Sequence, residues 1–454
     1  MKKVAIGGGQ GFWGDSPDAA IHMIRNADIQ YMGCDYLAEL TLSIMAKQQL
    51  KDPTKGFAPD FTTRILKEAG KEAWDKHIKI CTNAGGMNIN GCVDGIRQWA
   101  EGNSMSGYKI GYVTGDNIKD KIPQLLKDGW TFPNFDYDGN FNDILDKIYN
   151  CNVYIGHEGI EGCLAEGADV VITGRAADSA LFLAPLKYEF GWAADDWDNL
   201  ARGIMAGHLL ECAGQVTGGY FADPGYKDVP DLWKLGFPLI EIDETGAFTV
   251  TKVEGSGGLV SVDTCKEQMI YEIHNPKAYL TPDATADFSK VTFRQIGENQ
   301  VRAEHATTHG RPETLKVSVG YKDCFIGEGE ISYGGSNCVA RAELAAEILE
   351  KRIELTGIEL EEYRTDFIGC NSLYRDAISK EIGSGTLCEV RLRAAGRTKD
   401  RKNAVLLANE VEALYTNGPA GGGGAVKRVS EIVSVCSIFV PRDAVEAKVT
   451  FREV

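Results

Sequence analysis

The sequence predicts an α/β protein: an N-terminal Rossmann-like domain with a largely parallel sheet, followed by a C-terminal α+β domain. Two observations carry this reading. Through the first half, short apolar runs end in Gly, Asn or Asp and lead into amphipathic helices. That alternation gives parallel strands covered on both faces. From about Pro238 hairpin signals replace it, so the domains are placed at 1–236 and 237–454.

The elements follow in order. Val4-Ala5-Ile6 leads through Gly7-Gly8-Gly9-Gln10-Gly11 to a helix from Asp18 to Ala27. Ile29 to Met32 ends at Cys34-Asp35, and a helix runs from Leu37 to Gln49. Ile78 to Cys81 ends at Asn83-Ala84-Gly85-Gly86, with a helix reaching Trp99. Tyr108 to Val113 ends at Thr114-Gly115-Asp116 before a helix from Lys119 to Lys127. Val153-Tyr154-Ile155 ends at Gly156-His157-Glu158, and Val170-Val171-Ile172 at Thr173-Gly174-Arg175, where a helix from Ala176 to Phe190 begins. Hairpins are expected at Glu244-Thr245-Gly246 and Gly297-Glu298-Asn299. A strand over Leu315–Tyr321 and a helix over Val339–Leu355, apolar at Leu344, Ile348 and Leu355, follow; Gly418 to Gly424 then interrupts regular structure.

Composition narrows the function. With 48 Lys+Arg against 65 Asp+Glu the net charge is −17, which repels phosphate backbones and argues against a nucleic-acid role. No apolar run reaches the roughly 20 residues of a bilayer span. The N-terminal apolar run is too short for a signal peptide, so a cytoplasmic protein without membrane attachment is expected. The 12 cysteines include no CxxC pair, against an iron–sulfur or structural zinc site.

In a parallel sheet the turns after the strands share one rim, and ligands bind there. The predicted rim holds Gly8, Gly9, Gly11, Asp15, Asp35, Glu39, Asn83, Gly85, Gly86, Asp116, Glu158, Thr173, Gly174, Arg175 and Asp178. Each alone is explained by turn propensity, but turn geometry does not require Arg175 or the acidic residues. Gly9 to Gly14 fits the letters of a GxGxxG fingerprint, yet Phe12 and Trp13 would crowd a pyrophosphate; an NAD(P)-dependent oxidoreductase is the weaker alternative. No P-loop and no G-x-S-x-G elbow occurs. Gly255 to Gly258 and Gly421 to Gly424 are further candidates for cradling an anion or for chain reversal.

A helix capped by Asp195 or Asp196 places His208, Glu211, Cys212 and Gln215 at i, i+3, i+4 and i+7, a polar stripe continuing the line of Leu200 and Ile204. His208 with Glu211 suits an acid/base pair or two metal ligands; the alternative is a buried, hydrogen-bonded histidine.

Several phrases resemble the acyclic terpene utilisation A (AtuA) family along the whole chain. They include Gly11-Phe12-Trp13-Gly14-Asp15-Ser16, Thr82-Asn83-Ala84-Gly85-Gly86, Asp195-Asp196-Trp197-Asp198, Gly207-His208-Leu209-Leu210-Glu211-Cys212 and Asn417-Gly418-Pro419-Ala420. The resemblance implies a role in catabolism of branched compounds; the prototype acts in citronellol and geraniol breakdown beside a geranyl-CoA carboxylase. Many relatives carry a C-terminal ferredoxin-like module, which implies a separate small α/β subunit of about 100 residues and a homo- or hetero-oligomer. Rim and resemblance together point to the large subunit of a lyase or hydratase acting on a small branched carboxylic acid or its CoA thioester. Arg175 would bind the anion, His208 and Glu211 would move protons, and Asp178 would orient one of them. Asn83, Gly85, Gly86, Thr173, Gly174, Gly8, Gly11, Asp15, Asp35 and Glu39 would line the substrate site. A divalent metal, or CoA as part of the substrate, is the cofactor chemistry such a site admits. A non-catalytic subunit that binds an acyl-CoA or organic acid and scaffolds an enzyme is the alternative from another class.

Overall fold

The computed structural model describes residues 2–133, 136, 139–382 and 387–454. They form two compact units, Met1–Gly320 with Val435–Val454, and Tyr321–Ser434.

The first unit opens with β1 (Lys3–Gln10), α1 (Pro17–Asn26), β2 (Tyr31–Cys34) and α2 (Glu39–Lys51). A π-type helical run, Phe61–Gly70, continues into α3 (Lys71–Asp75) and leads to β3 (Lys79–Thr82), α4 (Ile89–Gly102), β4 (Lys109–Thr114) and α5 (Ile122–Lys127). Then come β5 (Ile148–Val153), α6 (Glu158–Ala165), β6 (Val170–Thr173), α7 (Ala180–Phe190) and α8 (Trp197–Leu210). Strands β7 (Pro238–Asp243) and β8 (Phe248–Lys252), α9 (Val262–Ile270), and strands β9 (Tyr279–Leu280), β10 (Thr285–Asp287), β11 (Thr292–Gly297), β12 (Gln300–Glu304) and β13 (Thr307–Thr308) follow. The second unit lies between the long strands β14 (Thr314–Gly334) and β17 (Gly422–Pro441), with the unit boundaries inside both. It contains α10 (Cys338–Thr356), β15 (Glu362–Ile368), α11 (Arg375–Ile382), β16 (Glu389–Thr398) and α12 (Arg401–Asn417). Strand β18 (Lys448–Glu453) returns to the first unit.

Helix boundaries follow local chemistry. Pro17 opens α1, where a missing N–H costs nothing. Asn88, Asp196 and Ser261 cap α4, α8 and α9 by accepting from the first-turn N–H groups of Gly91, Asn199 and Thr264. Gly191, at φ +63°, ends α7 in the left-handed region that glycine tolerates.

One ten-stranded sheet runs β11-β12-β8-β7-β1-β2-β3-β6-β4-β18. Its centre, β1-β2-β3-β6-β4, is parallel, and these strands are buried on both faces, which is why they read as unbroken apolar runs. The flanks are antiparallel: β7 pairs with β1 (Ile6 opposite Ile240) and β18 with β4 (Val113 opposite Val449). The result is a large mixed sheet containing parallel strands.

Four expectations change. The hairpin β7–β8 extends the same sheet, so residues 236/237 fall inside the first unit. The strand expected at Val153–Ile155 is β5, which pairs with β14 and leaves Ile155 only an isolated bridge to Ala176; its alternating Asn150 and Asn152 bond each other and Asp116. In α10 the buried face is Ala342, Ala345, Ala346 and Leu349, while Leu344 and Leu355 face solvent. Finally, β17 begins inside the glycine run, at Gly422.

The second unit follows β-α-β-β-α-β order, with α11 in the β15–β16 connection and sheet order β15-β16-β14-β17. Strand β16 is antiparallel to both β15 and β14. This is the split-βαβ arrangement of ferredoxin-like folds. A Cβ at Gly327 would lie 2.1 Å from the Ala404 carbonyl oxygen, so this glycine lets α12 lie against β14. No helix among the described residues is long and apolar enough to cross a membrane.

Candidate functional site

The carboxyl ends of the parallel strands, the start of α2 and the end of α8 converge on one cluster of acids. Asp35 follows β2, Asp178 follows β6, and Glu211 is the residue that ends α8. One carboxylate oxygen from each lies within 4.8 Å of the others. Asn83, after β3, holds Asp35 in place: its Nδ2 donates to Asp35 Oδ1 at 2.6 Å, and its Oδ1 accepts from the Tyr36 N–H at 2.7 Å.

Arg175 is buried among these acids. Its guanidinium donates to the Leu37 carbonyl and, at 2.6 Å, to Asp178 Oδ1, and it lies 4.0 Å from the centre of the Tyr154 ring. The backbone N–H of Arg175 donates to Asp116 Oδ2, which fixes the turn after β6. The expected anion receptor is therefore turned toward the protein's own carboxylates.

His208 and Glu211 meet on the other side of the cluster, His208 Nδ1 lying 2.7 Å from Glu211 Oε1. His208 Nε2 is 3.2 Å from the Met269 carbonyl oxygen, an acceptor only, so Nε2 carries hydrogen. Burial drives His208 down to about 4 despite the Met269 bond. Burial, with Asp178 and Glu272 nearby, pushes Glu211 well above the carboxylate range. Both shifts favour the neutral form of each partner across the 2.7 Å contact. Glu211 Oε2 is buried without a hydrogen-bond partner. Burial also raises Asp178, against the pull of Arg175 and with the push of Asp35.

Two clefts reach this cluster. The first is lined by Tyr154, His208, Tyr279, Thr281, Lys316 and Phe439; the second by Gly11, Asp15, Asp35, Arg175, Tyr220 and Tyr271. Glu39, Asp178, Glu211 and Glu272 line both. Glu39 accepts from the Tyr154 hydroxyl, and Lys316 Nζ lies 3.4 Å from it. Burial works against its charge, but Arg175, Tyr154 and Lys316 bring Glu39 down to about 2. The Tyr154 N–H donates to the Lys316 carbonyl, which sets these two residues side by side.

The structure thus brings together Asp35, Glu39, Arg175, Asp178, His208 and Glu211. It assigns the predicted glycines to packing and turns. A Cβ at Gly8 would stand 2.5 Å from the Leu210 carbonyl oxygen, and one at Gly11 2.9 Å from Cys212 backbone, so both let β1 approach the end of α8. Gly7 to Gln10 belong to the strand itself, and Gly11 and Gly14 lie in the turn that leads to α1. Gly85 and Gly174 abut the Thr173 carbonyl and Asp116, and Gly86 takes φ +49°. Thr173 bonds the neighbouring Gly174 carbonyl, and Asp15 accepts from the N–H groups of Gly11 and Ser16. The predicted stripe breaks, because α8 stops at Leu210 and Ala213 turns to φ +43°. Tyr154, Glu272, Tyr279 and Lys316 escape the sequence reading as site residues; the strands expected over Val153–Ile155 and Leu315–Tyr321 contain Tyr154 and Lys316 without marking a role for them.

Glu158 lies in a second group. His157 Nδ1–H donates to Asp283 Oδ1 at 2.7 Å, and Arg311 pairs with Glu158. This tie anchors the start of α6 to the turn before β10.

A family model described as acyclic terpene utilisation family protein AtuA matches residues 4–451. No curated protein matches the chain.

Proposed function

This chain belongs to the acyclic terpene utilisation (AtuA) family, and on that premise we propose that it is a lyase or hydratase acting on a small branched carboxylic acid or its CoA thioester. The observation that carries the reading is the 2.7 Å His208–Glu211 hydrogen bond in the wall of a cleft. Adding or removing water beside a carboxyl or thioester requires a group that can give and take a proton near neutral pH. Glu211 is the candidate: burial raises its carboxyl well above the ordinary carboxylate range, and Asp178 lies alongside it. Both nitrogens of His208 are engaged, so His208 is a positioning residue that orients Glu211. Lys316, on the cleft surface, takes the anion-binding role first expected of Arg175.

The test is deuterium uptake at the α-carbon, or loss of water, followed by NMR across a panel of branched short-chain acids and their CoA thioesters. Wild type should turn over at least one, and Glu211→Gln should reduce its rate by about 10²–10⁴-fold while melting as a folded protein. Binding without exchange favours the scaffold subunit, and full activity in Glu211→Gln overturns the acid/base role.

A further inference from the structure

An acidic substrate faces an electrostatic obstacle here. Asp35, Glu39, Asp178, Glu211 and Glu272 line the two clefts, against Arg175 and Lys316. A carboxylate entering this acid-rich lining gains from any cation held within it. The geometry supplies the means. Asp35, Asp178 and Glu211 come from three separate places in the chain, and their oxygens approach within 4.8 Å of one another. Hydrogen bonds within the protein do not use up the cluster. Glu211 is only 7% exposed, and its Oε2 has no partner. A buried carboxyl oxygen without a partner is costly, and a cation held among the three acids would satisfy it.

We propose that Asp35, Asp178 and Glu211 bind one hard divalent cation, Mg²⁺ or Mn²⁺, through an oxygen each, with water or a substrate oxygen completing its shell. The donor set is all oxygen, which suits Mg²⁺ or Mn²⁺ and not the thiolate or imidazole sites of zinc and copper. Asn83 on Asp35, Arg175 on Asp178 and His208 on Glu211 each hold one of the three acids in place, as the groups behind metal ligands do. The cation offsets most of the acidic charge of the cleft and gives an acid or thioester oxygen a place to bind. This deepens the lyase reading and rests on it for what the ion does in the reaction; ion binding is measured without a substrate.

Mn²⁺ titrated into the full chain and followed by electron paramagnetic resonance tests the site, because bound Mn²⁺ leaves the sharp aqueous signal. Wild type should remove one ion per chain, and Mg²⁺ should release it. Asp35→Asn and Asp178→Asn should each weaken binding by at least about tenfold, whereas Glu158→Gln, in the other acidic group, should leave it unchanged. Circular dichroism and melting show that the variants fold. Mn²⁺ should raise the melting temperature of wild type more than that of Asp35→Asn or Asp178→Asn. An undiminished aqueous signal with wild type overturns the site. So does unweakened binding in both Asn variants, and loss of binding in Glu158→Gln moves the ion elsewhere. A chain that binds Mn²⁺ but turns over no acid refutes the lyase reading alone.

Discussion

Gly8→Ala separates two physical roles for the first glycine run. Were these glycines a phosphate cradle, a methyl group there would lower ligand affinity and spare the fold. The structure requires the opposite. The backbone of Gly8 is not in the left-handed region, so alanine meets no torsional penalty. Its Cβ, however, would stand 2.5 Å from the Leu210 carbonyl oxygen, where ordinary contact begins at 3.4 Å. Strand β1 and the end of α8 must separate by nearly an ångström, and both are buried. Overpacking of this kind costs about 1–3 kcal/mol. At roughly 2 °C per kcal/mol for a large unit, the melting temperature should fall by about 2–6 °C. Because Glu211 is the next residue after Leu210, any activity should fall as well. The assay is thermal unfolding without ligand, beside Gly102→Ala, where an added Cβ meets nothing within 4 Å. Equal melting of Gly8→Ala and wild type, or an equal loss in Gly102→Ala, would refute the packing argument.

Arg175→Met should cost about 3–5 kcal/mol, read by denaturant unfolding, because it leaves buried acids without their cation; Arg175→Lys should recover part of this while losing the contact with Tyr154. Gly327→Ala should cost about 1–3 kcal/mol by driving α12 off β14, visible as a lowered unfolding midpoint of the second unit. His157→Gln tests the second acidic group through pH. Burial opposes the charge of His157, yet Asp283, with Glu158 and Glu161, raises it above 6.5; burial likewise raises Asp283, but His157 holds it below 3.8. The ion pair therefore stabilises fully between these ordinary values. The gap in unfolding free energy between wild type and His157→Gln should be largest there. It should shrink as pH rises through the raised value of His157, or falls through the lowered value of Asp283. A gap independent of pH would contradict this.

How much was legible depends on whether a residue's role is local. The parallel strands were readable because burial on both faces makes them apolar throughout, as in Val170–Thr173. The helical run from Phe61 was missed although Asp60 stands at its start and Ile65, Leu66, Ala69 and Ala73 mark a buried face. The glycine-rich start of β17 read as a break, since glycine marks turns more often than strands. In the site, Asp35, Glu39, Arg175, Asp178, His208 and Glu211 were found from their places after strands and on a helix. Lys316 and Tyr154 meet through pairing between β14 and the end of β5, distant segments whose proximity leaves no trace in spacing. The glycines misled for the opposite reason: Gly8 and Gly11 mark close approach, but the sequence does not say whether phosphate or α8 approaches.

The pairing of β18 with β4 bears on how the chain is made. Residues 109–114 leave the ribosome early, yet their neighbour on the open side, residues 448–453, emerges after the whole second unit. Until then β4 is an edge strand with unsatisfied N–H and C=O groups, competent to pair with another nascent chain. Slower translation, or a chaperone that shields this edge, should raise the soluble yield more than any change to the site.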